Sequence, residues 1–141
     1  MISQERLKIE YAAMAAIFPT KQFKFFSDKL IFAVQTNSRK VYTVKVDLSG
    51  NYPYEVPKVF ITNPHPLYTK NGQSMLEPSH QMHTLRGENG CVRVCHYGQI
   101  DWHPGVTCYQ VIVKVRVWLE MYEAHLKTGR PLDYYLTSAA Y

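Results

Sequence analysis

The sequence of 141 residues lacks any long hydrophobic run, and its first eight residues carry charges where a secretory signal would be apolar. No stretch approaches the ~18 consecutive apolar residues that a membrane-spanning helix needs. We therefore expect a cytoplasmic protein without a membrane segment.

Blocks of basic residues are missing as well. The net charge is +5, but the sixteen Lys and Arg residues are scattered along the chain, with Arg39-Lys40 as their one adjacent pair, and no ladder of alternating aromatic and basic residues occurs. Proteins that bind nucleic acid usually concentrate positive charge on one face or along one segment. The charge pattern therefore argues against a nucleic-acid partner, although it would suit an acidic protein surface.

Cysteine is scarce, with three residues in the chain. An odd, small number without a secretory signal argues against a disulfide scaffold. Reactive thiols, metal ligands and buried structural thiols all remain open on these grounds.

Internal repeats and low-complexity segments are absent too, and the composition is ordinary, with 46% hydrophobic and 19% charged residues. Compact domains most often hold roughly 100 to 150 residues. We therefore expect residues 1–141 to form one globular domain.

The first half of the chain predicts one helix followed by a meander. Ser3 can cap a helix that runs to about Phe18 and is ended by Pro19, with Leu7, Tyr11 and Met14 on its apolar face. Four β-rich segments follow, separated by turn-prone residues or prolines. The expected antiparallel strands are Phe23–Phe26, Lys29–Thr36, Lys40–Leu48 and Lys58–Thr62.

The second half predicts a long loop and a long helix. Residues 63–88 contain several Pro and Gly and little periodicity, which is typical of an irregular excursion. Alternating valines in 111–117 would suit a strand, but the capping-box spacing from Thr107 to Gln110 and the position of Gly129 favour a helix over Cys108–Lys127. Its main apolar face contains Val111, Val115, Trp118 or Leu119, Tyr122 and Leu126, and a second strip contains Val113, Val117 and Met121. Beyond Pro131 we expect a short aromatic tail.

The three cysteines differ in their expected environments. Cys108 falls in the first turn of the long helix, where a small buried thiol is usual. Cys91 and Cys95 lie four apart in an extended segment, so they share a face with Arg93, opposite Val92, Val94 and His96. If the two valines are buried, both thiols point outward.

An outward thiol allows three kinds of site. Cys95 could be a nucleophile in thioester exchange, which needs an accessible sulfur, a lowered thiol pKa and donors for an oxyanion rather than a strong base. A protease-like Cys–His pair fits poorly, because neighbouring side chains on a strand diverge. Zinc is a structural competitor, because six potential ligands lie close together in the sequence, although Cys-x3-Cys is not the usual knuckle. The six are His80, His83, Cys91, Cys95, His96 and His103.

In their order along the chain, several short motifs resemble the ubiquitin-conjugating enzymes, especially the compact bacterial members of defence and conjugation operons. The resemblance covers nearly the whole chain and implies an α+β fold with an N-terminal helix, a four-stranded antiparallel meander, a catalytic loop and a long central helix. The motifs are Tyr52-Pro53-x-x-x-Pro57, Val94-Cys95-His96-Tyr97 after His83 and Gly90, Trp102-x-Pro104, Trp118-Leu119-x-x-Tyr122-Glu123 and Leu126-x-Thr128-Gly129.

The resemblance implies a catalytic Cys95 and a supporting His83, with Tyr97 and Asp101 placed to order or desolvate an incoming amine. The family's His-Pro-Asn triplet is absent, so Thr84, Asn89 and His83 itself remain candidates for the oxyanion donor. The family's Gly-x-x-Cys spacing would point to Arg93, which keeps Cys91 as a rival nucleophile.

The resemblance also implies partners, with neither a cofactor nor a metal. A conjugating enzyme of this kind would receive its cargo from an activating enzyme of the ubiquitin-activating type. The cargo would be a ubiquitin-like protein or the C-terminus of an antiphage nucleotidyltransferase, and a protein amine would accept it. A catalytically inactive binding module of the same fold and a zinc-stabilised loop domain are the alternatives.

Overall fold

The computed structural model describes residues 1–136 and has an α+β fold with an N-terminal helix, an antiparallel sheet and a long helix. This confirms the expected fold class. The helices are α1 (Gln4–Ala15), α2 (Cys108–Thr128) and α3 (Leu132–Leu136), and the strands are β1 (Phe23–Phe25), β2 (Lys29–Gln35), β3 (Val41–Asp47), β4 (Val59–Asn63), β5 (Thr84–Glu88) and β6 (Cys91–Val94).

The sheet has six strands in the order β1-β2-β3-β4-β6-β5, and all neighbouring pairs are antiparallel. The expected meander β1–β4 is present, but the four-strand count is wrong. β5 lies within the segment that we expected to be irregular, and it pairs with β6 at the edge of the sheet. Its sequence, Thr-Leu-Arg-Gly-Glu, has no alternating apolar face, because an edge strand beside a loop has little core to contact.

Helix α1 begins as expected, since the Ser3 side chain accepts a hydrogen bond from the Arg6 backbone N–H. Its buried face differs from the expected one. Met14 is fully buried, but Tyr11 is 46% exposed and Glu10 is fully buried. The helix therefore turns a carboxylate toward the core, which is stable only when that charge has partners.

Partners for Glu10 come from three different segments. Its carboxylate accepts hydrogen bonds from the Arg6 guanidinium (2.9 Å), the Tyr52 hydroxyl and the backbone N–H of Cys108 (2.9 Å). Arg6 also donates to the carbonyl oxygens of Pro104 (2.6 Å) and Val106 (2.8 Å). This network joins α1 to the start of α2 and to the loop that precedes it.

Helix α2 has the ends that the sequence predicts. Thr107 and Gln110 form a capping box, and Gly129 ends the helix at φ 78° in the left-handed region. Val111, Val115, Trp118 and Leu119 are buried and share one core with the inner face of the sheet, while Val113 and Val117 are exposed. Cys108 is fully buried, as expected.

After Pro131 the chain forms the short helix α3, where we had expected only an aromatic tail. Leu132 and Leu136 are buried, and the Asp133 N–H donates to the Gln81 carbonyl oxygen (2.8 Å). Residues 137–141, the rest of that tail, lie outside the described residues. No helix in the described range has the length and apolarity needed to cross a bilayer.

Candidate active site

Cys95 lies immediately after β6 and is partly buried. Val92 and Val94 on the opposite face of the strand are almost completely buried, and so is His96. The backbone therefore alternates as the sequence predicts, with Cys95 and Cys91 on the face away from the core.

The backbone of Cys95 is fixed by His83. The Cys95 N–H donates to the His83 carbonyl oxygen at 2.9 Å, and the same oxygen accepts a hydrogen bond from the Trp118 indole (3.1 Å). His83 has φ 52°, a left-handed conformation that is unfavourable for a residue with a β-carbon. Its ring Nε2 pairs with the Asp133 carboxylate at 3.0 Å. His83 thus contacts Cys95 through the backbone, while its ring links the loop to α3.

Burial raises the pKa of the Cys95 thiol, and the positive charges of Arg93 and Lys114 oppose that rise. The net shift is upward, whereas thioester exchange led us to expect a lowered thiol pKa. The resting sulfur is therefore mainly protonated at neutral pH, and the two cations set how readily it ionises.

Tyr97 and Asp101 are both near Lys114, a residue of α2 that is not among the predicted site residues. The Lys114 ammonium lies 4.1 Å from the centre of the Tyr97 ring, a cation–π contact. Burial lowers the pKa of Lys114, while the charges of Asp101 and Cys95 raise it. The structure thus brings three of the four predicted site residues together around this lysine. Two basic residues, Lys114 and Arg116, lie among the valines of α2, so the sequence alone gave no reason to choose Lys114.

The loop after Cys95 is anchored to the proline-rich segment before β4. His96 Nε2 donates to the Pro57 carbonyl oxygen (2.9 Å), and Trp102 Nε1 donates to that of Pro53 (2.7 Å). Burial lowers the pKa of His96 to about 4, so this imidazole is neutral. It lies on the core side of the chain, opposite Cys95, which does not suit a protease-like Cys–His pair.

Cys91, the rival nucleophile, lies at the other end of β6. It follows a two-residue turn in which Asn89 (φ 53°) and Gly90 (φ 76°) both have positive φ, the geometry of a type I′ hairpin. Its sulfur is 3.7 Å from the Asn89 carbonyl oxygen, and burial raises its thiol pKa while Lys45 lowers it. Cys91 is thus partly buried, as Cys95 is, but it lies beside the hairpin turn.

The three candidate oxyanion donors, Asn89, Thr84 and His83, differ in where they lie relative to Cys95. Asn89 belongs to the hairpin turn beside Cys91, at the far end of the strand from Cys95. Thr84 is buried, and its hydroxyl donates to the Glu77 carbonyl oxygen (3.2 Å). Of the three, His83 alone is in direct backbone contact with Cys95.

Metal ligation finds no support in residues 1–136, where no group of three or more His, Cys, Asp or Glu residues could hold an ion. Two of the six candidate zinc ligands have other partners. His96 faces Pro57, and the ring of His83 pairs with Asp133.

Comparison with known proteins gives one family. A family model described as "Type II CBASS E2 protein" matches residues 10–132. Neither the curated proteins nor the solved structures contain a match. The family is an E2-like family of bacterial defence operons, which agrees with the resemblance seen in the sequence. The chain therefore belongs to the Type II CBASS E2 proteins, with an E2-like role in the conjugation chemistry of bacterial antiviral defence.

Proposed function

We propose that this protein is a thioester-forming conjugating enzyme that carries the C-terminal acyl group of another protein on Cys95. One observation carries the proposal. Cys95 is a partly exposed thiol whose backbone N–H is hydrogen-bonded to His83, and the positive charges of Arg93 and Lys114 favour its thiolate. Such a site can ionise a sulfur and stabilise charge without an adjacent base.

In the first step the Cys95 thiol loses its proton to solvent and attacks the carbonyl carbon of a thioester on an activating enzyme. A new carbon–sulfur bond forms and the carbonyl oxygen becomes an oxyanion. When this intermediate collapses, the old carbon–sulfur bond breaks and the activating enzyme's cysteine leaves as a thiolate. One thioester replaces another, so little driving force is needed.

In the second step an amine nitrogen attacks the same carbonyl carbon and displaces the Cys95 thiolate. A carbon–nitrogen bond forms, and the nitrogen loses a proton. Asp101 is exposed in the loop after Cys95 and can order the amine, while the Tyr97 ring shields one side of the site. His83 acts as a positioning residue through its carbonyl oxygen.

The partners follow from this chemistry. The donor is an activating enzyme of the ubiquitin-activating type, and the acceptor is a protein amine. The cargo is a ubiquitin-like protein or the C-terminus of an antiphage nucleotidyltransferase, and both alternatives fit an E2-like role in bacterial defence. The second candidate is a non-catalytic binding module, because the raised pKa of Cys95 would also suit a thiol that never reacts.

The test is an incubation of the protein with its activating enzyme, the candidate cargo and ATP, followed by non-reducing electrophoresis. We expect an adduct that thiol reductants remove, that survives Cys91→Ala and that is lost in Cys95→Ala. An adduct lost only in Cys91→Ala would move the site to the hairpin. No adduct in the native chain, with an activating enzyme that loads its own cysteine, would favour the binding module.

A further inference from the structure

Lys114 occupies an unusual position on α2. It is partly buried in the second turn of the helix, between Val113 and the fully buried Val115. Its ammonium is 4.1 Å from the centre of the Tyr97 ring. Partly burying an ammonium is unfavourable unless nearby groups favour its charge, and the π face of an aromatic ring does so. The lysine is thus held at this place by a defined contact.

That contact places the charge over a ring that is two residues from Cys95 in the chain. From Cys95 to Tyr97 the residues alternate between partly buried, buried and partly buried, with His96 directed toward the core. The Tyr97 ring also contacts the buried rings of His96 and Trp102, at centroid distances of 5.6 Å and 5.4 Å. The Lys114 ammonium therefore meets a ring that is fixed two residues from Cys95.

Electrostatics link the same groups. The positive charge of Lys114 favours ionisation of Cys95, and the negative charge of Cys95 favours protonated Lys114. Asp101 also favours the protonated lysine. Arg93, the other cation near the sulfur, lies on β6, and its backbone pairs with both neighbouring strands. Lys114 is the cation that approaches from the helix.

We propose that Lys114 stabilises the Cys95 thiolate, both when it attacks the incoming thioester and when it leaves during transfer to the amine. The proposal rests on the proposed function. It assigns Lys114 the same role, stabilising the thiolate, in both half-reactions. Sulfur carries negative charge at the start of the first step and at the end of the second. A fixed cation beside it lowers the barrier to each without taking part in proton transfer.

A lysine beside a thioester could instead act as the acceptor amine within its own chain. Burial lowers the pKa of Lys114 on balance, but the Tyr97 ring and the Asp101 carboxylate both oppose that fall and favour the protonated form. A protonated amine has no lone pair with which to attack a carbonyl carbon. Lys114 should therefore remain unmodified in the loaded enzyme.

The test measures the thiol directly and needs no partner protein. In a Cys91→Ala background Cys95 is the one accessible cysteine, since Cys108 is fully buried. The rate of alkylation by iodoacetamide is measured from about pH 6 to 10 with Lys114 intact, with Lys114→Met and with Lys114→Arg. Methionine keeps most of the side-chain volume without the charge, and arginine keeps the charge.

We expect Lys114→Met to slow alkylation at neutral pH on the order of five-fold and to move the pH profile to higher pH, because an opposite charge nearby favours the thiolate. Lys114→Arg should stay within about two-fold of the parent, since the charge remains. Lys8→Met removes one positive charge from an exposed position on α1 and should change nothing. Salt of about 1 M should slow the parent more than Lys114→Met, in which Arg93 remains as a cation near the sulfur.

Superimposable pH profiles for Lys114→Met and the parent would overturn the proposal, and so would mass spectrometry that finds the cargo attached to position 114. The alkylation profile is independent of the conjugation assay. A shifted profile in a protein that forms no thioester would support the electrostatic role of Lys114 and refute the proposed function. An unshifted profile in a protein that forms the thioester would do the reverse.

Discussion

The Cys95 N–H donates to the His83 carbonyl oxygen at 2.9 Å, and His83 holds φ 52° to present that oxygen. The nucleophile candidate and its supporting histidine are therefore related through the backbone, twelve positions apart in sequence. The Trp118 indole donates to the same oxygen, so the contact also reaches the core of α2. This relationship makes the conformation at position 83 a determinant of where the sulfur lies.

The conformation of His83 can be tested with a pair of substitutions. Glycine adopts positive φ without a β-carbon clash, so His83→Gly should be more stable than His83→Ala by about 1 kcal/mol, measured by urea unfolding. The matched pair at Gln81, an exposed residue that is not among those with positive φ, should show the opposite order. Alanine more stable than glycine at both positions would contradict the strained conformation.

Glu10 should be essential for stability. Glu10→Ala removes a fully buried carboxylate that accepts from Arg6, Tyr52 and the Cys108 N–H, and should lower the free energy of unfolding by about 3 to 5 kcal/mol. Glu10→Gln keeps an acceptor for the Cys108 N–H and should cost less. The control is Glu5→Ala, which removes an exposed carboxylate from the same helix. Equal costs at positions 5 and 10 would contradict the buried network.

His96 should make the protein sensitive to acid. Its pKa is about 4 in the folded protein, whereas an ordinary histidine titrates near about 6.5 in the unfolded chain. As the pH falls through that window, the unfolded state binds a proton that the folded state excludes, so stability decreases. The loss approaches about 3 kcal/mol near pH 4 and is absent above about pH 7.

The measurement for His96 is the free energy of unfolding in urea at about pH 7, 5.5 and 4.5. His96→Gln keeps a donor for the Pro57 carbonyl oxygen without a titrating group, so its stability should decrease less with acid. His65→Gln changes an exposed histidine and should follow the parent. If His96→Gln loses stability as steeply as the parent, the buried neutral imidazole is not the cause.

Much of this fold could be predicted from the sequence, because its main elements carry local signals. The Ser3 cap, the capping box at Thr107 and the αL position at Gly129 depend on neighbouring residues, and the structure contains all three. The strand Thr84–Glu88 was missed because it has no apolar alternation. The Asn89-Gly90 pair that turns this strand into β6 was its one clear signal.

The site was less predictable, because its groups come from distant segments. The alternation around Cys95 gave the outward direction of the thiol, but nothing local indicated that Lys114 would meet Tyr97. The burial of Glu10 could not be predicted for the same reason, since two of its partners, Tyr52 and Cys108, lie 42 and 98 positions away in the sequence. Such contacts depend on packing between elements and cannot be read from spacing along one of them.

The site of cargo attachment in Cys95→Ser shows most directly whether Cys95 carries the acyl group. A serine hydroxyl in place of the thiol traps an acyl group as an oxyester that resists thiol reductants and yields to hydroxide. We expect such a product with the activating enzyme, cargo and ATP, and peptide mapping should find the cargo at position 95. A cargo mapped to Cys91, or a reductant-sensitive adduct that persists in this variant, would contradict the assignment of Cys95 as the acyl carrier.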